Sequence, residues 1–137
     1  HRSNVWRRCV RFLLDTHLLL WAASNPEQLP AQARAEIENS DNDLIFSAAS
    51  LWEVAIKTGL GRPDFAVDPR LLRRGLVDNG YHELAITGEH AIGLLVLPPI
   101  HKDPFDRILI SQAVAEEIVL MTVDEKIARY PAPVRCF

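Results

Sequence analysis

The sequence predicts an α/β domain in three layers, with helices covering both faces of a mostly parallel central sheet. Three observations carry that prediction. Short β-rich runs alternate with longer helical stretches along the chain, which implies right-handed crossovers and parallel pairing. The run Val10 to Leu14 reads as a buried strand rather than a half-solvated one. Finally, 137 residues with 48% apolar and 24% charged side chains suit one domain of ordinary size. Such a chain buries about two-thirds of its unfolded surface without needing disulfides. No repeat, low-complexity tract or internal linker divides it, so residues 10–137 are expected to form the domain. Residues 1–9 are expected to form a basic, disordered or non-native arm.

Each element follows from its punctuation. After the first strand, Thr16 to Ala23 reads as a helix stopped by Asn25-Pro26, and Pro30 starts a second helix that ends near Asn39. Leu44 to Ala48 is the next strand, and Ser50 to Thr58 a helix stopped by Gly59 and Gly61. Beyond a Pro/Gly loop, Asp68-Pro69 opens a helix that runs to Asn79-Gly80. Tyr81 to Ile86 alternates like a strand, Thr87 to Leu95 is a short helix, and Pro98-Pro99 makes a loop. Asp103-Pro104 caps a strong helix through Glu117, Ile118 to Thr122 is a strand, Asp124 to Arg129 a last helix, and Val134 to Phe137 a terminal strand.

Charge and targeting exclude some classes. The formal charge of −3 argues against a basic protein that coats nucleic acid nonspecifically, though not against an enzyme that cuts it. Arg2, Arg7, Arg8 and Arg11 all precede the first acid; beyond Arg11, eleven Lys/Arg face eighteen Asp/Glu, a balance of −7. Arg7 to Ser24 imitates a secretory signal, but Asp15 interrupts its apolar middle, so a strand followed by a helix is the better reading. Ile92 to Leu97 is too short to cross a bilayer. Cys9 and Cys136, near opposite ends and without metal-ligand spacing, read as two buried free thiols in a reducing cytoplasm.

The acids are the informative residues, and each has two readings. Asp15 and Asp124 follow strands and can simply cap the next helix. Asp103 is a natural cap before Pro104, with Asp106 then favouring the helix dipole. Ser50-Leu51-Trp52-Glu53 fits a capping box. Taken together, however, Asp15 and Asp124 at strand ends and Glu53 and Asp106 in first helical turns can converge on one crevice, since such sheets place sites beyond their carboxyl edge. Carboxylates that close cannot all stay ionised cheaply unless a hard divalent ion neutralises them. Oxygen-only ligands favour Mg²⁺ or Mn²⁺ over Zn²⁺.

Other motifs are absent. There is no glycine-rich phosphate loop and no G-x-S-x-G elbow, and His82-Glu83 lacks the second histidine of a zinc helix. Isolated His17, His90 and His101 read as surface, capping or supporting groups rather than zinc ligands.

Four segments nevertheless resemble those of a known family. They are Leu13-Leu14-Asp15-Thr16-His17 with Leu20-Trp21, Ser47 to Lys57, His101 to Ala113 around Asp103-Pro104-Phe105-Asp106-Arg107, and Thr122-Val123-Asp124. Together and in this order they resemble the PIN-domain ribonucleases, in particular the VapC-type toxins of type II toxin–antitoxin modules, over Leu13 to about Tyr130. The resemblance implies a PIN-like fold and an acidic quartet at Asp15, Glu53, Asp106 and Asp124. That quartet would bind one or two Mg²⁺ or Mn²⁺ ions and activate water to cleave single-stranded or loop RNA, leaving a 5′-phosphate and a 3′-hydroxyl. Asp103 is left as a cap or a supporting ligand. Thr122, Ser47 and Ser50 match positions able to hydrogen-bond the carboxylates or bound water, and Arg107 matches a group that pairs with an acid or steadies the phosphate.

RNA must reach an acidic site, so basic groups should flank it: Lys57, Arg62, Arg70, Arg73, Arg74 and Lys102 are the candidates, with a solvated helix face as the alternative. Trp52, between apolar neighbours, is expected in the core. The resemblance also implies a cognate antitoxin, a homodimer and no membrane. Two other readings stand against the enzyme. One is a catalytically silent PIN-like module that binds antitoxin or regulates; the presence of all four acids speaks against it. The other is an Asp-based phosphotransferase, which lacks its second Asp here.

Overall fold

A computed structural model of the chain describes residues 9–137. The N-terminal arm expected over residues 1–9 lies almost wholly outside the described residues. Five strands, β1 (Arg11–Leu14), β2 (Asp43–Ser47), β3 (His82–Leu84), β4 (Val119–Thr122) and β5 (Val134–Cys136), form one sheet in the order β3-β2-β1-β4-β5. Every pairing is parallel. The helices are α1 (Thr16–Ser24), α2 (Ala31–Glu38), α3 (Ala48–Gly59), α4 (Pro69–Asp78), α5 (Gly88–Ile92), α6 (Pro104–Glu116) and α7 (Glu125–Ala128).

Alternate side chains of the central strands enter two separate cores, because successive residues of a strand point to opposite faces. Phe12 and Leu14 of β1, Phe46 of β2 and Met121 of β4 pack with Leu18 and Leu19 of α1, Ala33 of α2 and Leu72 and Leu76 of α4. Leu13, Ile45 and Leu120 point the other way, onto Ile108, Leu109, Ile110 and Ala113 of α6. The sheet is therefore covered on both faces, as an all-parallel sheet must be. No helix among the described residues is long and apolar enough to cross a membrane.

The order of strands positions the site. From β1 the chain builds outward through β2 to β3, then returns to the other side of β1 for β4 and β5. The direction of winding thus reverses between β1 and β4, and that reversal opens a crevice beyond their carboxyl ends. Leu14 pairs with Met121 there, and the Asp15 amide donates to the Met121 carbonyl at 3.0 Å.

Three expectations need correction. Helix α3 begins at Ala48, with the Ser47 hydroxyl accepting from the Ala49 amide at 3.0 Å, so Ser50 caps nothing and Glu53 lies in the second turn. Ala48 and Ala49 are strong helix formers with a good cap before them, and that extends the helix backward. Trp52 is 55% exposed rather than in the core. The buried residues of α3 are Ala49, Ser50, Glu53 and Val54, a phase that turns position 52 outward. Cys9 and Cys136 are free but exposed, not buried.

Candidate metal centre

Asp15, the residue after β1, caps α1: its Oδ1 accepts from the Leu18 amide at 2.9 Å. Its Oδ2 accepts from the Thr122 hydroxyl at 2.5 Å, across 107 residues of chain. The Thr122 Oγ1 in turn accepts from the Asp124 amide at 3.0 Å. One buried hydroxyl at the end of β4 thus ties together the acids that follow the two central strands. Asp124 caps α7 through Oδ1, from the Lys126 amide at 2.8 Å.

The third contribution comes from α6. The Oδ1 of Asp103 accepts from the Phe105 and Asp106 amides at 2.8 and 3.2 Å, and Pro104 occupies the first helical position. This cap leaves Asp106 in the first turn, where its Oδ2 meets His101 Nε2 at 2.8 Å. The same nitrogen lies 3.5 Å from Asp124 Oδ2. His101, Asp103 and Asp106 can each place one ligand atom within 4.8 Å of the others. Asp15, His101, Asp103, Asp106 and Asp124 all line one crevice of about 370 Å³ at the reversal of strand order.

Glu53 stands apart from the other three members of the expected quartet. It does not line the crevice. It is buried on α3, its Oε2 receives Lys57 Nζ at 2.5 Å, and its Oε1 has no hydrogen-bond partner among the described residues. Its negative charge still reaches Asp106.

The electrostatics report uncompensated charge. Burial, then the charge of Asp103, pushes the Asp106 carboxyl up to about 7, against the opposing bond from His101; Asp15 and Glu53 add to the rise. Burial also raises Asp15, although the bonds from Thr122 and Leu18 and the nearby His17 oppose it and Asp124 reinforces it. Buried carboxylates that repel one another suit a hard divalent cation with oxygen ligands. The donor set fits Mg²⁺ or Mn²⁺ on that chemistry.

The remaining candidates fall in varied places. Ser50 Oγ pairs with Thr16 Oγ1 at 2.9 Å, beside Asp15 in sequence, whereas Ser47 only caps α3. Among the described residues, Arg107 does not pair with an acid. Its guanidinium donates to the carbonyls of Leu94, Leu97 and Pro98 and to the Tyr130 hydroxyl, so it ties down the loop before α6. Lys57 is committed to Glu53 and lies over the rings of Phe65 and Phe105 at 4.7 and 5.8 Å. Arg62, Arg70 and Arg73 pair with Asp64, Asp68 and Glu83 on the surface, where such pairs contribute little. Arg74 and Lys102 are exposed.

Sequence reasoning read His101 only as a surface, capping or supporting group and did not name it among the site residues; the available signal was its place five residues before Asp106, in the same matching segment. His90 does cap, exchanging hydrogen bonds with Thr87 at the start of α5. A larger groove, about 720 Å³, lies against α1, α2 and α4, but its lining is dominated by side chains such as Leu29, Ile37, Val67 and Leu71 and holds no cluster of facing acids. The chemistry belongs to the smaller crevice.

Comparison with known proteins agrees with this geometry. The sequence model of the PIN domain matches residues 12–133. Ribonuclease VapC22 of Mycobacterium tuberculosis (strain ATCC 25618 / H37Rv) is 29% identical over 125 residues, spanning 89% of this chain and 95% of that protein. Two solved structures share the fold. VapBC2 from Rickettsia felis, bound to a DNA fragment from its promoter, superposes with a TM-score of 0.69 at 14% identity, covering 93% of this chain and 99% of that one. DNA-bound VapBC from Salmonella typhimurium gives 0.64 at 17% identity, covering 93% and 98%. With a family match over nearly the whole length, and with acids from β1, β4 and α6 meeting where such sheets carry their sites, this chain belongs to the PIN-domain family.

Proposed function

We propose that this protein is a Mg²⁺- or Mn²⁺-dependent endoribonuclease of the VapC toxin type, restrained by a cognate antitoxin. The observation that carries the reading is the convergence of Asp15, Asp106 and Asp124, from three separate elements, on one crevice in a PIN domain. The relative named a ribonuclease supports the reaction class, and the neighbours of the same fold, solved as VapBC complexes, support the partner.

Asp15, Asp106 and Asp124 are the residues that would hold the cation, with Asp103 at the rim and Glu53 contributing charge from α3. A bound divalent ion supplies neutralisation of the phosphodiester and an acidified water as nucleophile. The chain's own residues do the rest. The Leu18 amide and Thr122 hydroxyl fix both oxygens of Asp15, so its carboxylate is oriented before any ligand arrives. The cap from Asp103 fixes the helical turn that presents Asp106. Lys102 is exposed and adjacent in sequence to this cluster, which supports a role against the RNA backbone. Ile92, Leu95 and Val96 are 68, 85 and 82% exposed, an apolar run that supports a homodimer. The reaction would take place in the cytoplasm on single-stranded or loop RNA.

The test is incubation with total RNA in Mg²⁺, then with EDTA, with cut ends mapped by sequencing. Cleavage should require the metal and be lost in Asp15→Asn, which keeps the shape and cap of Asp15 but removes its charge. Full cleavage by a clean preparation of that variant would overturn the mechanism.

A further inference from the structure

His101 has no part in the acidic quartet, yet it touches two of its members. Its Nε2 lies 2.8 Å from Asp106 Oδ2 on α6 and 3.5 Å from Asp124 Oδ2 beyond β4. When Asp106 is ionised, as a bound cation requires, its carboxylate only accepts hydrogen bonds, so Nε2 then carries the proton and donates to it. A nitrogen whose proton points at a carboxylate offers no lone pair to a cation. The Oδ2 of Asp106 is thereby oriented, while its Oδ1 is left to ligate.

The backbone that carries the imidazole is itself held. The His101 amide donates to the buried Tyr130 hydroxyl at 2.7 Å, and the Arg107 guanidinium donates to the same oxygen at 3.0 Å while also binding the Pro98 carbonyl at 2.9 Å. Helix α6 does not need this arrangement, because Asp103 already caps it and Pro104 occupies its first position. The chain of contacts runs from Arg107 on α6 through Tyr130 to the backbone of His101, whose side chain ends on the site.

From this we infer that His101 is a positioning residue for the metal centre: it holds Asp106 in ligating posture beside Asp124, and Arg107 and Tyr130 set its own place. The inference rests on the metal-dependent reading above. Hydrogen-bonding partners behind ligating groups typically contribute about 10–100-fold in metal affinity.

The experiment is titration of the full chain with Mn²⁺, free of RNA, read by calorimetry and by the electron paramagnetic resonance of the free ion. His101→Ala should weaken Mn²⁺ binding about 10–100-fold. His101→Gln, whose amide can donate near the Nε2 position, should recover part of the loss. Tyr130→Phe keeps the imidazole but removes its support, and should weaken binding by a smaller factor; it also serves where His101→Ala fails to fold. Wild-type affinity in His101→Ala, or in Tyr130→Phe where only that variant folds, would overturn the inference while leaving the metal reading intact. Absence of any Mn²⁺ binding by the wild-type protein would overturn the metal reading itself, and this inference with it.

Discussion

The Thr122 hydroxyl opposes what burial does to Asp15. Desolvation favours the neutral acid, and the short bond from Thr122 is the largest of the influences that hold it ionised. Thr122 is itself fully buried, and the same oxygen takes the Asp124 amide. Thr122→Val keeps the shape but strips one partner from a buried carboxylate and another from a buried-side amide. Hydrogen bonds to charged groups contribute about 1.5–3 kcal/mol, so urea denaturation at neutral pH should show a loss of about 2 kcal/mol. Thr122→Ser, which retains the hydroxyl, should lose much less. Equal stability of the valine variant and the wild type would remove Thr122 from the account of how Asp15 is held.

At the level of elements, Asp103 does two separable things: it caps α6 through two amides, and its charge raises Asp106. Asp103→Ala removes both and should cost about 1 kcal/mol of stability. Asp103→Asn keeps the cap, should cost only a few tenths, and should lower the carboxyl of Asp106 as followed by NMR titration. If the two variants were equally destabilised, the cap would not be the source of the loss. This segment was legible because its signals are local: Asp103 before Pro104 marks a helix start, as Asp68 before Pro69 does for α4. The strands were legible for a similar reason, and so were the acids at their ends. What was not legible depends on contacts between distant segments or on helical phase. Trp52 sits between apolar neighbours, yet the phase of α3 that buries Ala49, Ser50, Glu53 and Val54 turns it outward, edge-on against Phe105 at 4.9 Å. Arg107 follows an acid in sequence, but its partners are carbonyls up to 13 residues before it and a tyrosine 23 residues after. His101 likewise gains its role only when β4 brings Asp124 beside it.

For the whole molecule, the crevice makes folding and metal binding respond to pH in opposite ways. Unfolded, Asp106 titrates near its ordinary 3.8; folded, it is raised to about 7. Between those values the folded protein holds a proton that the unfolded chain has released, so this group's stabilising contribution is present at low pH and is lost as pH rises toward 7. The raised Asp15 acts with the same sign. Glu36 and Asp68 are lowered, by bonds from Asn42 and from the Arg70 amide respectively, so their contributions change below the ordinary carboxylate range, outside the window between pH 5 and 8. A divalent cation needs the ionised acids, and its affinity should therefore increase over the same window in which the metal-free fold weakens. Metal-free protein should melt at least about 5 °C lower at pH 8 than at pH 5. Saturating Mg²⁺ should remove most of that difference by stabilising the protein more at the higher pH, and Asp106→Asn should flatten the metal-free profile. Melting curves at the two pH values, with and without Mg²⁺, decide the matter: a metal-free protein more stable at pH 8, with an unchanged profile in Asp106→Asn, would mean that the charge gathered at the ends of β1, β4 and α6 does not oppose folding.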